Sequence, residues 1–219
     1  NEPFLNPENN LPGTKFFPEA KINYAENMLK KNNEEIAIIF KSEDKIYRQL
    51  TWKNLNEQVL SIANFFKFKG VKKNDRIAAY LPNIPETVIV MLAATSIGAV
   101  FSSASPDFGH DGVLDRFGQI KPKFFITTDG YYYNGKEINI TEKVEKVVNL
   151  LPSVENILLI PFLKSKNIYE GNNVFLYDDV VKNFLKGDLD FEPLDMDHPL
   201  YIMYSSGTTG MPKCIVHSI

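Results

Sequence analysis

The sequence is poor in the residues on which several classes of protein depend. Cysteine occurs once, at Cys214, which excludes an internal disulfide framework and a zinc site of paired cysteines. Positive charge is not in surplus, because 24 Lys and Arg residues face 27 Asp and Glu residues, for a net charge of −3. This balance argues against nucleic acid as a partner. Since disulfides are rare in reducing compartments, the cysteine usage fits a cytoplasmic protein.

Long apolar runs are also lacking. The longest, residues 88–101, is too short to span a bilayer and is interrupted by Thr95 and Ser96. We therefore predict a buried helix there and no membrane partner. The chain starts with Asn1 rather than Met and stops at Ile219, directly after its most distinctive motif, so we expect a fragment of a longer protein. Its 44% hydrophobic content is enough for a sizeable core.

That motif is a stretch rich in glycine, serine and threonine, Tyr204–Ser218, which reads Y-S-S-G-T-T-G-M-P-K-C-I-V-H-S. Apolar residues lead into it and follow it, which predicts a strand, a polar loop and a second extended segment. Glycines let backbone N–H groups turn inward, and hydroxyls and Lys213 would complete a nest for phosphate groups. We call residues 205–213 the phosphate loop. It is not a Walker A motif, because two residues separate Gly210 from Lys213 and Cys214 follows. A plain surface turn uses the same residue types, but their fixed order favours a phosphate site.

Apolar segments of strand length alternate with segments of helix length over most of the chain. This alternation indicates an α/β fold with a mainly parallel sheet flanked by helices. Ligands of such sheets bind at the carboxyl edge of the strands, where we expect residues 102–107, residues 129–136 and the phosphate loop to gather. Residues 1–35 are predicted to form an irregular N-terminal cap on a main domain of residues 36–219. Strands are predicted at residues 36–40, 47–51, 77–81, 100–103, 124–127, 157–160 and 174–177, and helices at 20–29, 52–69, 86–97, 111–120, 141–150 and 178–185.

The sequence resembles a known enzyme family. Tyr204–Lys213 is similar to the phosphate-binding signature of the adenylate-forming superfamily, which includes acyl-CoA synthetases, luciferases and peptide-synthetase adenylation domains. Three further segments resemble the acetoacetyl-CoA synthetases of that superfamily in particular: S-P-D-F-G at Ser105–Gly109, D-R-F-G-Q-I at Asp115–Ile120 and D-G-Y-Y-Y-N-G-K at Asp129–Lys136. The resemblance covers nearly the whole chain and implies that residues 36–219 are the first portion of a large ATP-binding α/β domain.

The resemblance implies an AMP-forming acid–thiol ligase that uses ATP, Mg²⁺ and coenzyme A. In that family a carboxylate, here acetoacetate, attacks the α-phosphate of ATP, and the thiol of coenzyme A then displaces AMP. Two alternatives stay open: a synthetase for another short-chain acid such as acetate or propionate, and a non-catalytic phosphate-binding module. The resemblance also places the catalytic lysine of the family beyond Ile219. No catalytic residue is therefore nominated here, and we expect the fragment to be inactive without the C-terminal part of the same chain.

Two sets of binding residues are implied by the resemblance, while the metal ligands stay unassigned. The ATP phosphates would be bound by Ser205, Ser206, Gly207, Thr208, Thr209, Gly210 and Lys213. Coenzyme A would contact Ser102, Ser103, Gly135 and Lys136.

Two groups of side chains are open to more than one interpretation. Asp107, Asp111 and Asp115 have a helix-like spacing that could suit a divalent metal. Acidic residues near a helix start also complement the helix dipole, which is the interpretation we favour. The tyrosines at 131–133 could stack on a nucleobase or on pantetheine, or pack at the edge of the domain.

Three single residues complete the expectations. His217 has the imidazole of a general base, but its extended segment favours a structural role. The apolar neighbours of Cys214 predict a buried and unreactive thiol. Asn74 follows a lysine pair in a turn, and because asparagine tolerates left-handed backbone we expect it to adopt that conformation.

Overall fold

A computed structural model of the chain describes residues 4–5, 15–205 and 210–219. The strands in these ranges are β1 (Phe4–Leu5), β2 (Lys15–Phe16), β3 (Ile36–Ser42), β4 (Ile46–Thr51), β5 (Arg76–Tyr80), β6 (Val100–Ala104), β7 (Phe124–Thr128), β8 (Gly130–Tyr133), β9 (Lys136–Asn139), β10 (Asn156–Ile160), β11 (Val174–Leu176), β12 (Pro199–Tyr204) and β13 (Cys214–Ser218). The helices are α1 (Tyr24–Met28), α2 (Trp52–Phe68), α3 (Pro85–Ser96), α4 (His110–Ile120), α5 (Thr141–Asn149) and α6 (Tyr177–Asn183).

The main sheet has seven strands within the described residues, in the order β11-β10-β7-β5-β6-β12-β13. Every neighbouring pair is parallel except β12 and β13, which are antiparallel. β7 and β10 are buried along their whole length, as expected of parallel strands covered on both faces. The predicted α/β fold with a mainly parallel, helix-flanked sheet is confirmed.

The two faces of the sheet belong to two hydrophobic clusters, because successive strand residues point to opposite sides. Ile77 and Ala79 of β5 belong to the cluster that contains α2 and α3. Ala78 and Tyr80 belong to the cluster that contains α4 and α5. Among the described residues, no helix combines the length and the apolar character needed to cross a bilayer.

Local signals in the sequence set the helix and turn boundaries. Thr51 accepts a hydrogen bond from the Asn54 backbone at 3.2 Å and caps the start of α2. Gly70, with φ of 74°, follows the end of that helix. Asn74 has φ of 69°, which confirms the left-handed conformation predicted for it.

Residues 129–136 follow β7 as expected, but they contain regular structure that the sequence analysis did not predict. The segment forms most of a hairpin in which β8 pairs antiparallel with β9. Asn134 and Gly135 form its two-residue turn with φ values of 49° and 74°, the left-handed pair that hairpin turns require. The Asn-Gly pair between alternating residues is the sequence signal that predicts such a hairpin.

The N-terminal residues from Lys15 onward lie against the main domain. The buried Asn23 side chain donates hydrogen bonds to the carbonyl oxygens of Thr95, Ser96 and Glu192 at 3.2, 3.0 and 2.9 Å. These bonds join the start of α1 to the end of α3 and to the segment before β12. The division into a cap of residues 1–35 and a domain of residues 36–219 stays a prediction.

Candidate phosphate-loop site

The phosphate loop connects the antiparallel strands β12 and β13 at the carboxyl edge of the sheet. Ser205 closes its base, because its N–H donates to the Lys213 carbonyl oxygen at 3.0 Å. Its hydroxyl in turn accepts the Lys213 N–H at 3.3 Å. The loop therefore begins and ends at one point, and the nominated lysine follows directly from that closure.

Three of the nominated ATP contacts can be placed. Ser205 is half-buried at the base, whereas Gly210 and Lys213 are exposed. Gly210 has φ of 107°, a conformation that side-chain-bearing residues rarely adopt. Ser206, Gly207, Thr208 and Thr209 lie outside the described residues. The assignment of this set to ATP phosphates stays a prediction.

β6 forms the wall beside the loop, because it pairs with β12 through Ile202 and Ser102. The Ser102 hydroxyl is buried and donates to the Ile202 carbonyl oxygen at 2.9 Å. It also lies 3.0 Å from the hydroxyl oxygen of Tyr204. Burial raises the pKa of Tyr204 to about 12, against the opposing effect of the Ser102 hydrogen bond. Tyr204 therefore stays neutral throughout the physiological range.

Ser102 and Ser103 point in opposite directions along the strand. The Ser102 side chain is buried and hydrogen-bonded within the fold, whereas that of Ser103 is exposed. Both line a cavity of about 490 Å³ at the end of β6 and β12. Phe108, Arg116 and Tyr204 also line it. The cavity wall therefore combines aromatic rings, hydroxyl groups and the positive charge of the Arg116 guanidinium.

A buried tyrosine hydroxyl binds the turn after β6. The hydroxyl of the buried Tyr80 lies 3.0 Å from the Pro106 carbonyl oxygen and 2.6 Å from that of Phe108. Burial raises the pKa of Tyr80, and the nearby Tyr131 adds to the effect. Burial raises the pKa of Tyr131 to about 12, and the nearby Asp107 carboxylate adds to the effect. Tyr131 of β8 therefore lies close to the turn after β6.

The second half of the nominated coenzyme A set lies further along the sheet edge. Gly135 and Lys136 belong to the hairpin that follows β7, and β5 separates β7 from β6. The Gly135 N–H donates to Glu43 of the β3–β4 turn at 2.8 Å, and the Lys136 side chain is exposed. Tyr132 packs against Phe162, with ring centroids 5.9 Å apart. The coenzyme A assignment of all four residues stays a prediction.

Separate expectations concern His217 and Cys214, which follow the loop. The centroid of the His217 ring lies 5.2 Å from that of the Tyr201 ring on the paired strand β12. The expectation of a buried Cys214 is wrong, since its side chain is exposed. The reason is its position on β13, which is an edge strand of the sheet within the described residues and is exposed along its whole length. Apolar neighbours do not imply burial at a sheet edge.

The acidic residues 107, 111 and 115 do not come together as a metal site. Asp107 accepts a hydrogen bond from Ser105 at 2.9 Å, and Asp111 lies 3.2 Å from His110. No group of three or more His, Cys, Asp and Glu side chains suited to a metal ion occurs in the part of the chain that the structure describes.

Sequence reasoning missed the contacts that α4 makes with the loop. The Gln119 amide donates to the Pro212 carbonyl oxygen at 2.8 Å across 93 residues of sequence. Arg116, one turn earlier, lies over the Phe108 ring at 4.1 Å and near the Tyr204 ring at 5.9 Å. No local pattern reveals contacts over such a separation. The segment D-R-F-G-Q-I was recognisable only by its resemblance to other enzymes.

Comparison with known proteins assigns the chain to a family. A family model described as "AMP-binding enzyme" matches residues 25–219. The chain belongs to this AMP-binding enzyme family.

Individual members of the family are similar over almost the whole chain. Acetoacetyl-coenzyme A synthetase of Rhizobium meliloti (strain 1021) is 47% identical over 210 residues, which cover 93% of this chain and 31% of the relative. Acetoacetyl-CoA synthetase of Gallus gallus is 46% identical over 213 residues, which cover 93% and 32%. The solved structure of acetoacetyl-CoA synthetase from Streptomyces lividans matches with a TM-score of 0.88 and 37% identity, covering 95% of this chain and 32% of that one. The chain thus spans about a third of the length of these relatives.

Proposed function

We propose that this chain supplies the ATP phosphate-binding part of an AMP-forming acetoacetate–CoA ligase. The observation that carries the proposal is the similarity of almost the whole chain to acetoacetyl-CoA synthetases in both sequence and fold. A closed β12–β13 hairpin with an exposed lysine at its end supports the same interpretation. The setting would be the cytoplasm, with acetoacetate, ATP and coenzyme A as the small-molecule partners.

In the proposed reaction a carboxylate oxygen of acetoacetate forms a bond to the α-phosphorus of ATP while the bond to pyrophosphate breaks. The acyl-adenylate then reacts with the thiolate of coenzyme A, which forms the thioester as AMP leaves. The first step needs an aligned weak nucleophile and a neutralised leaving group. The hydroxyls and N–H groups of the phosphate loop would bind the β- and γ-phosphates, and Lys213 would offset their charge.

The proposed Mg²⁺ fits this chemistry without a protein carboxylate cluster. Magnesium in nucleotide sites is held largely by phosphate oxygens and water. The absence of a ligating cluster among the described residues is compatible with such a role. When bound with ATP, the ion would supply charge neutralisation at the phosphates.

The test is pyrophosphate release by the full-length protein with ATP and Mg²⁺, offering acetoacetate, acetate, propionate and butyrate in parallel. We expect the fastest release with acetoacetate. Lys213→Ala should lower kcat/KM for ATP by roughly 10²-fold, the usual scale for loss of one transition-state contact. Lys182→Ala, an exposed lysine on α6 at the other end of the sheet, is the matched control.

The outcomes separate the remaining candidates. Fastest release with acetate would favour the acetyl-coenzyme A synthetases, of which the Helicobacter acinonychis (strain Sheeba) protein is 34% identical over 216 residues. No release with any acid would refute the ligase proposal and favour a non-catalytic phosphate-binding module. Equal rates for Lys213→Ala and the wild-type protein would remove Lys213 from the site.

A further inference from the structure

Helix α4 contacts the returning arm of the phosphate loop, residues 212–214, on both sides of Lys213. The Gln119 amide nitrogen donates to the Pro212 carbonyl oxygen at 2.8 Å. Its amide oxygen lies 3.7 Å from the Cys214 sulfur, which donates to it. One side chain thereby holds the residues before and after the lysine.

The same helix also contacts the entering arm of the loop, which begins at Tyr204. The Arg116 guanidinium donates to the Gly112 carbonyl oxygen at 2.6 Å within α4. The guanidinium carbon Cζ lies 4.1 Å from the centre of the Phe108 ring and 5.9 Å from that of Tyr204, the last residue of β12. Arg116 therefore links the end of β12 to the turn after β6.

The helix is a firm support for these contacts, because its other face is part of the core. Val113 and Phe117 are fully buried, and Ile120 is nearly so. By contrast, Gly210 and Lys213 of the loop are exposed. An exposed loop keeps a defined geometry best when it is bonded to a packed element.

We propose that Gln119 and Arg116 are positioning residues, which set the two arms of the phosphate loop and thereby aim Lys213 at the ATP phosphates. The kinetic part of this inference rests on the proposed ligase function, whereas the structural part does not. Neither side chain needs to touch ATP. Gln119 acts through the Pro212 carbonyl and Arg116 through Tyr204.

The kinetic test uses Gln119→Met in the full-length protein, since methionine keeps the length of the side chain and removes its donors and its amide oxygen. We expect kcat/KM for ATP to fall about three- to tenfold, the scale of one or two lost hydrogen bonds. KM for acetoacetate and for coenzyme A should stay unchanged. Arg116→Lys keeps the charge but loses the flat stacking surface, and should act in the same direction.

Asn183→Leu is the matched control. Asn183 donates to the Asp179 carbonyl oxygen four residues earlier at 2.8 Å, as Gln119 does to Asp115 at 2.5 Å. It lies on α6, which packs at the β11 end of the sheet. The Asn183→Leu variant loses the same kind of intrahelical bond, but Asn183 makes no contact with the described part of the phosphate loop. The ATP kinetics of this variant should therefore match those of the wild-type protein.

A second readout does not depend on activity. Amide hydrogen exchange of the peptide that contains Ser205 and Lys213 should become about threefold faster in Gln119→Met than in Asn183→Leu, on the scale of the lost bonds, while the unfolding temperatures of the two variants stay close. An active wild-type protein whose Gln119→Met variant keeps both its ATP kinetics and its exchange rates would overturn the inference and leave the ligase proposal standing. An inactive wild-type protein would refute the ligase proposal, and the exchange result alone would then decide the inference.

Discussion

At the scale of single residues, Tyr204 shows how position in the fold sets the chemistry of a side chain. Its hydroxyl is within 3.0 Å of the buried Ser102 hydroxyl, and burial raises its pKa to about 12. A tyrosine beside the proposed phosphate site could be considered as a proton donor or acceptor. With so high a pKa it is instead a neutral structural partner of β6.

The raised pKa of Tyr204 predicts a contribution to alkaline unfolding. An unfolded tyrosine ionises near a pKa of about 10, so the unfolded state loses this proton first. The stability linked to Tyr204 is complete below pH 10 and declines as pH rises toward 12. The free energy of unfolding, measured by urea titration at several pH values, should fall more steeply for the wild-type protein than for Tyr204→Phe.

Tyr47→Phe provides the comparison, because Tyr47 is 62% exposed on β4. This variant should follow the wild-type pH dependence. Equal slopes for Tyr204→Phe and the wild-type protein above pH 10 would contradict the argument.

At the scale of elements, the β8–β9 hairpin depends on a close approach that only glycine permits. A Cβ at Gly130 would lie 2.3 Å from the Ile138 carbonyl oxygen and 2.5 Å from Leu163. The carbonyl belongs to the paired strand and cannot move without breaking the pairing. The next residue, Tyr131, lies close to Asp107 in the turn after β6, so the effect of a substitution would extend to the candidate site.

Gly130→Ala is therefore expected to destabilise the protein by about 1–3 kcal/mol, the range for overpacked sites. Gly118→Ala is the matched substitution, because a Cβ at Gly118 meets nothing within 4 Å and the residue lies inside α4. It should stabilise the protein by about 0.5–1 kcal/mol through the better helix propensity of alanine. Urea unfolding of both variants is the measurement, and a neutral Gly130→Ala would show that the hairpin can move away from the contact.

Most elements could be predicted from the sequence because their signals are local. The buried strand β7, the capping Thr51 and the left-handed Asn74 each follow from a few neighbouring residues. The β8–β9 hairpin was missed although its Asn-Gly turn is also local. The bond from Gln119 to Pro212 was beyond reach, since it depends on how α4 packs beside β12 and β13.

At the scale of the whole molecule, one ion pair joins the small β3–β4 sheet to the main body. Arg48 of β4 makes a bidentate contact with Glu86 at the start of α3. Its two terminal nitrogens donate to the two carboxylate oxygens at 2.6 and 2.8 Å. The Glu86 side chain is 9% exposed and that of Arg48 is 36% exposed. The Nε atom of Arg48 is buried without a hydrogen-bond partner among the described residues.

Loss of one partner should therefore destabilise the joined structure. Glu86→Leu leaves the arginine unpaired and should cost about 2 kcal/mol, less than the 3–5 of a fully buried pair because Arg48 can reach water. The double variant Arg48→Met/Glu86→Leu should recover most of this loss, since it leaves no unpaired charge. Urea unfolding of the single and double variants gives the coupling energy, and additive losses would refute this account.

The arrangement of the whole sheet could be predicted as a class but not as an order. Alternating strands and helices indicate a parallel sheet, and the carboxyl-edge position of the β6 and β12 loops follows from it. The order of the strands depends on which faces pack together over long separations. The same holds for Asn23, which bonds Glu192 across 169 residues.

The pairing of β6 with β12 has a consequence for the synthesis of the protein. Ser102 and Ile202 are bonded neighbours that are 100 residues apart in the chain. At a translation rate of roughly 5–20 residues per second, β6 leaves the ribosome roughly 5–20 s before its partner. Throughout that interval the outer edge of β6 is unpaired, the kind of surface that recruits other strands. The growing chain therefore carries an unprotected β6 edge until the strand that enters the phosphate loop has been made.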